Sequence, residues 1–196
     1  MALTNITYDS VYFNSGGAIG GYDNYRWNSY LNEDSSVLAN KFVQKALTLS
    51  VDLSGKKVLV VGCAYGFLVQ YLISLGVDAY GMDISSYAVS QSPVPDKLIV
   101  GDVRLDADWK RAKTLAGLTG NQKFDMVIDE DMICCLTDSE ASSFCTYARK
   151  YGSILVHLID LSTTLVNWYN FHTISEWKAI AGMADKWYSR FNWLET

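Results

Sequence analysis

Between residues 56 and 160 the chain alternates, five times over, short apolar runs with stretches of helical spacing. The runs are KKVLVV (56–61), VDAYGMD (77–83), KLIVGD (97–102), KFDMVID (123–129) and GSILVHLID (152–160). Several are continuously apolar and rich in β-branched residues, which fits strands covered on both faces, as in a parallel sheet. Parallel neighbours need a crossover between them, and helical stretches stand in those places. FLVQYLISL (67–75) closes at Gly76, SSYAVSQS (85–92) is stopped by Pro93, and residues 105–117 form a third stretch. TDSEASSFCTYARK (137–150) carries Thr137 or Asp138 as a cap with Glu140 nearby. Residues 173–182 read as a last helix and KWYSRFNW (186–193) as one closing strand. The pattern predicts an α/β fold: a doubly wound, mostly parallel sheet with helices on both faces and right-handed crossovers.

The length, 196 residues, suits one domain. Residues 35–196 are assigned to it, opening with a helix over 35–50 that Ser35 or Ser36 caps. Residues 1–34 differ in composition: five tyrosines, a tryptophan and four glycines lie between Tyr8 and Asp34, with neither helical nor strand period. They read as an irregular segment on the domain surface, and also as a lid whose glycines allow movement and whose aromatics wall a ligand.

Charge and composition exclude several classes. Lys and Arg number 16 against 21 Asp and Glu, a net charge of −5, which disfavours broad wrapping of nucleic acid. No apolar run approaches the ~20 residues of a membrane helix. The start MALTNITYDS lacks a basic stretch leading into an apolar one, so a cytoplasmic location is expected. The four cysteines form no CxxC pair and the two histidines are far apart, so reduced thiols and no metal are expected.

In such a sheet ligands bind beyond the carboxyl ends of the strands. After the first run come Gly62, Cys63, Ala64, Tyr65 and Gly66; a glycine turn lets backbone approach a ligand. After the second comes Asp83, about twenty residues past Gly62, the spacing at which an acid reaches ribose hydroxyls. Asp102 follows the third, and Asp129, Glu130 and Asp131 the fourth. Each has a plainer reading: Asp83 and Asp102 as helix caps, the acidic triplet as a solvated face. Their recurrence after four successive strands argues for a shared crevice, and acids facing it suit a ligand carrying positive charge.

VLVVGCAYGFLVQYLISLGVDAYGMDIS, VGDVRL and FDMVID resemble the class I S-adenosylmethionine-dependent methyltransferases, as do YDSVYF…GGYDNY and NWYNFHTISEWKAI. The resemblance spans most of residues 8–183 and implies S-adenosylmethionine as cofactor. It implies that Gly62, Cys63, Ala64 and Gly66 pack against the methionine part, that Asp83 holds the ribose, and that Ile84 lies beside the adenine. Asp102 would meet the adenine amino group, with Val103 contributing backbone; Asp129 and Glu130 would border the methyl-donating end, and Tyr22 and Tyr25 would belong to the lid. An aromatic face can stabilise a cation. This chain departs from the family pattern at Val60, where an acid is usual, and at Ala64, where glycine is usual. A methyl group at Ala64 is tolerated if φ is negative. The family commonly adds two strands after the last helix, and here there is room for one, so the sheet is expected to be shortened at its C-terminal end.

Methyl transfer from a sulfonium is an in-line displacement in which positioning supplies much of the rate. A hydroxyl acceptor gains from a base, for which Glu130 and His157 are the candidates. His157 lies in ILVHLI, a setting that also fits a satisfied core histidine; His172 fits a cap or surface role. Trp168, Tyr169, Phe171 and Trp177 read as core packing that overlaps an acceptor pocket. The expected function is methyl transfer to a small molecule such as a sugar, a nucleotide-linked sugar or a metabolite. Two alternatives stay open: a nucleic-acid methyltransferase using Arg104, Lys110, Arg111 and Lys113, and a cofactor-binding domain that transfers nothing. The turn lacks the full GxGxxG of a dehydrogenase.

Overall fold

In the computed structural model the described residues are 6–15, 21, 22, 25, 39, 40, 43, 44, 51–130, 132–159, 172–181 and 187–189. The strands are β1 (Lys57–Val61), β2 (Asp78–Asp83), β3 (Leu98–Val100), β4 (Phe124–Glu130), β5 (Gly152–Ile159) and β6 (Trp187–Ser189). They form one sheet in the order β3-β2-β1-β4-β5-β6, every neighbouring pair parallel. The helices are α1 (Ser10–Asn14), α2 (Phe67–Ser74), α3 (Ser86–Ser90), α4 (Asp106–Leu115), α5 (Asp138–Tyr151) and α6 (Ile174–Ala181). This is the α/β architecture expected, with a single short strand after the last helix among the described residues.

Alternation along each strand sends side chains to two cores. Leu59, Val61, Met82, Val127 and Leu155 meet Trp109 and Ala112 of α4, Phe144 of α5 and Trp177 of α6. Val58, Val60, Ala79, Met126 and Val156 meet Leu68, Val69 and Leu72 of α2 on the opposite face. Ala39 and Val43 join this second core, the described part of the helix expected over 35–50. Burial on both faces is why these strands are apolar throughout.

Three local expectations change. Residues 1–34 contain α1, too short to show a period; Asp9 caps it by accepting from the N–H groups of Val11 at 2.9 Å and Tyr12 at 3.2 Å. β3 ends at Val100, because Gly101 and Asp102 turn away, with the Asp102 N–H donating to Asp108 at 2.9 Å. α3 ends at Ser90, short of Pro93. The start of α5 follows the sequence reading: the Thr137 hydroxyl accepts from the Glu140 N–H, and the Glu140 carboxylate accepts from the Thr137 N–H at 2.9 Å.

Two devices hold the loop after β3 against α4 and α5. The Trp109 indole, fully buried and stacked on Tyr151 and Phe144, donates to the Val103 carbonyl at 2.8 Å. Arg104 grips Asp102 with a bidentate pair and donates to Glu140 at 2.7 Å. Burial raises the Asp102 carboxyl, but the bonds from Arg104 outweigh it and leave it below the usual range; Glu140 is also held low, by the Thr137 N–H before Arg104. Trp109→Phe leaves a buried carbonyl without its donor and should lower the unfolding free energy in urea by about 2–4 kcal/mol. Arg104→Ala should lower it by about 1 kcal/mol at pH 7. Both carboxyls titrate lower folded than unfolded, so their stabilisation is present above the ordinary carboxylate range and disappears below it. The difference between Arg104→Ala and wild type should therefore be smaller when the titration is repeated at about pH 3.

Candidate active site

The chain runs outward through β1, β2 and β3, then returns to place β4 beside β1, so the order reverses between β1 and β4. Ligands of doubly wound sheets bind at that reversal, outside the carboxyl ends. Gly62 ends β1 there with φ of +65°, and its N–H donates to the Met82 carbonyl at 2.8 Å. A Cβ on Gly62 would lie 2.6 Å from Met132 Cβ and Cγ, so the close approach at this glycine is to the protein's own Met132. Gly66 opens α2 with φ of +78°, where a Cβ would meet Leu98 at 2.8 Å. Cys63 is buried, and burial followed by the nearby Asp83 carboxylate pushes its thiol up, so it stays neutral.

Ala64 overturns one expectation: its φ is +47°, in the left-handed region. That costs an L-residue with a Cβ on the order of 1–2 kcal/mol. The conformation turns the Ala64 N–H toward Asp83, which accepts it at 2.7 Å, a charge-assisted bond that offsets the strain.

Asp83, at the end of β2, is the anchor of the turn. One oxygen accepts from Ala64 and the other from the Ser85 N–H at 2.8 Å. Burial raises its pKa, while the Ser85 and Ala64 N–H groups pull it down; burial wins. Each oxygen keeps a second lone pair. Ser85, not Asp83, caps α3, accepting from the Ala88 N–H at 2.9 Å. Ile84 follows, 47% exposed although large and apolar.

The N-terminal aromatics sit on this turn. Phe13 and Tyr25 pack on Tyr65 with ring centroids 5.3 and 4.8 Å apart, and Tyr22 on Tyr25 at 4.8 Å. The Ser85 hydroxyl donates to the Tyr8 carbonyl, and Asn14 donates to the Tyr87 hydroxyl at 2.6 Å. Tyr22 and Tyr25 thus reach the glycine turn. Tyr8, Tyr12 and Phe13 join Tyr65 in the same cluster and were not singled out; the density of aromatics between Tyr8 and Tyr25 was the available signal. Burial pushes the Tyr12 phenol upward, with Tyr22, Cys135, Tyr8 and Asp83 adding to it, so it stays protonated.

The remaining candidates divide. Asp102 is held by Arg104, and the Val103 carbonyl is taken by Trp109, so both are positioned from within the protein. Asp129 is fully buried: one oxygen accepts from the Met132 and Ile133 N–H groups at 2.9 and 3.2 Å, and the other faces His157 Nδ1 at 2.6 Å. His157 is fully buried too, its Nε2 turned to the Cys145 sulfur at 3.8 Å, so the structure gives it the core role rather than a place at an open crevice. Burial and the nearby Asp129 push the Cys145 thiol up to about 12, so the trio holds no thiolate. The backbone of Glu130 ends β4 opposite Leu158; its side chain, with Asp131, Trp168, Tyr169 and Phe171, lies outside the description. His172 faces Asp138 at 2.9 Å, joining the starts of α5 and α6. Among the described residues no group of three or more His, Cys, Asp or Glu could hold a metal ion, and no helix is long and apolar enough to cross a membrane.

No family model matches the chain. A ubiquinone biosynthesis O-methyltransferase of Bradyrhizobium sp. (strain ORS 278) is 28% identical over 132 residues, 67% of this chain and 48% of that protein. A histidine protein methyltransferase 1 homolog of Dictyostelium discoideum is 32% identical over 90 residues, 42% of this chain and 28% of that protein. The chain thus spans about half or less of the length of these relatives. Among solved structures, magnesium protoporphyrin IX methyltransferase from Synechocystis PCC 6803 with bound SAH superposes with a TM-score of 0.57 at 20% identity. That superposition covers 75% of this chain and 70% of the other. Parallel sheet, order reversal, glycine turn and structural neighbour agree: the chain has the fold of the class I S-adenosylmethionine-dependent methyltransferases, the family its motifs resemble.

Proposed function

We propose that the chain is an S-adenosylmethionine-dependent methyltransferase that acts on a small molecule such as a sugar, a nucleotide-linked sugar or a metabolite. The observation that carries this reading is Asp83. A buried carboxylate locks the glycine turn with one lone pair on each oxygen, leaves two for ribose hydroxyls, and stands beside the exposed Ile84. An apolar side chain open to solvent next to such an acid suits a purine face, and the carboxylate suits a ligand with cationic charge. The residues present therefore fit the adenosyl half of the cofactor. For its amino-acid end β1 offers Val60, buried in the sheet, in place of the family's acid.

When bound, the sulfonium supplies a methyl group already activated for transfer. The tasks of this chain's residues are then to bind, orient and exclude water. Asp83 and Ile84 hold the nucleoside, Gly62 to Gly66 form the turn beneath it, Asp102 and Val103 border the base, and Tyr22 and Tyr25 close over it. Deacidified β1 favours one second reading, cofactor binding without transfer. Against the nucleic-acid reading, Arg104, Lys110 and Arg111 each pair with carboxylates, and Lys113 donates to the Gly120 carbonyl. The relatives divide between a ubiquinone biosynthesis O-methyltransferase and a histidine protein methyltransferase homolog, and the larger share of this chain is matched by the first.

Titration calorimetry with S-adenosylhomocysteine tests the cofactor: saturable binding is expected, and a folded protein that takes up none at millimolar concentration removes the proposal. Asp83→Asn should weaken that binding by about 1–3 kcal/mol through the loss of charge-assisted acceptors. Turnover against panels of sugars, nucleotide sugars and other metabolites decides between transfer and binding alone.

A further inference from the structure

We propose that His157 is a positioning residue for the cofactor turn, acting through Asp129 and Met132; the inference rests on the cofactor reading given above. His157 and Asp129 are directly opposite in the parallel register of β5 and β4, so ring and carboxylate share a face. That face is covered by α5, whose Phe144 meets the imidazole edge-on at 5.8 Å. A contact of 2.6 Å between Nδ1 and the carboxyl group is a hydrogen bond with one proton between the two atoms. This leaves the other carboxylate oxygen for two backbone N–H groups, those of Met132 and Ile133. Asp129 is therefore held by the imidazole on one side, and on the other it fixes the start of the turn Ile133–Cys135.

Met132 is where this restraint reaches the site. Its Cβ and Cγ occupy the place a side chain on Gly62 would fill, at the reversal point between β1 and β4. The line of contact runs from α5 through His157, Asp129 and Met132 to Gly62, the first residue of the glycine turn. Stability alone gives little reason for such a pair. Burying a charge costs several kcal/mol in desolvation, and well-packed apolar pairs of similar volume are often as stable or more so. What an apolar pair lacks is direction: a leucine at 157 can fill space but cannot orient a carboxylate that orients two N–H groups.

The test compares His157→Leu, His157→Asn and Met132→Ala with wild type. Asn at 157 places an N–H near the position of Nδ1; Leu does not. Each protein is labelled with 13C-methyl methionine and titrated with S-adenosylhomocysteine at a temperature where circular dichroism shows it folded. The expected result is a tenfold or larger affinity loss in His157→Leu and Met132→Ala, with most of the affinity recovered in His157→Asn. The Met132 methyl resonance should shift or broaden in His157→Leu before any ligand is added, and return toward its wild-type position in His157→Asn. Wild-type affinity together with an unmoved Met132 resonance in folded His157→Leu would overturn the inference. A wild-type protein that binds no S-adenosylhomocysteine would instead remove the cofactor reading, and the Met132 resonance alone would then decide whether His157 positions this turn. Should His157→Leu not fold, Met132→Ala and His157→Asn still decide it: full affinity in Met132→Ala, or an Asn variant that is folded yet loses binding and displaces the Met132 signal, counts against it.

Discussion

The carboxyl edge of this sheet is organised by one carboxylate accepting two backbone N–H groups. Asp83 takes the Ala64 N–H from the turn after β1 and the Ser85 N–H from the turn after its own strand. Those turns have left the sheet, and their N–H groups need partners that strand pairing no longer supplies. A single carboxyl side chain at the end of β2 meets both needs and ties neighbouring loops together. The left-handed conformation at Ala64 persists because this bond compensates it. α2 and α3 both begin from the loops that Asp83 joins, so the placement of two helices follows from the same contact.

The opposite side of the edge uses the same chemistry more deeply buried. Asp129 also accepts backbone N–H groups, but with its other oxygen on an imidazole and with no exposure at all. Asp102 lies between these cases, partly exposed and neutralised by Arg104. Three acids at similar places after three strands thus have three environments, set by what packs above them. Of the three, only Asp83 combines burial, acceptors to spare and an open apolar neighbour.

Much of the fold was legible because parallel strands buried on both faces must be apolar throughout, and the helices between them must keep a helical period. β1, β2, β4 and β5 each lie within a residue of the run that announced them; β3 stops short because the Asp102 N–H leaves for Asp108, and of the run 186–193 the described strand is Trp187–Ser189. The capping of α5 was readable from Thr137 and Glu140, since that motif is local. Asp83 and the glycine turn were readable for the same reason: their spacing reflects one strand, one helix and one more strand. α1 was hidden by its brevity, and Met132 by having no signal of its own; a methionine after an acidic triplet says nothing until β4 is seen beside β1.

The amino-acid sequence by itself determined the order and type of the elements, the parallel pairing and the glycine turn after β1, because these follow from periodicity and short-range chemistry. Tertiary structure decided where each charge went. Whether Asp129 opens onto the crevice or withdraws beneath it, whether Asp102 stands free or is gripped by Arg104, and whether Ala64 is relaxed or left-handed all depend on residues distant in the chain. Contacts of that kind form only when loops from non-adjacent strands are brought to one edge, and no local pattern records them.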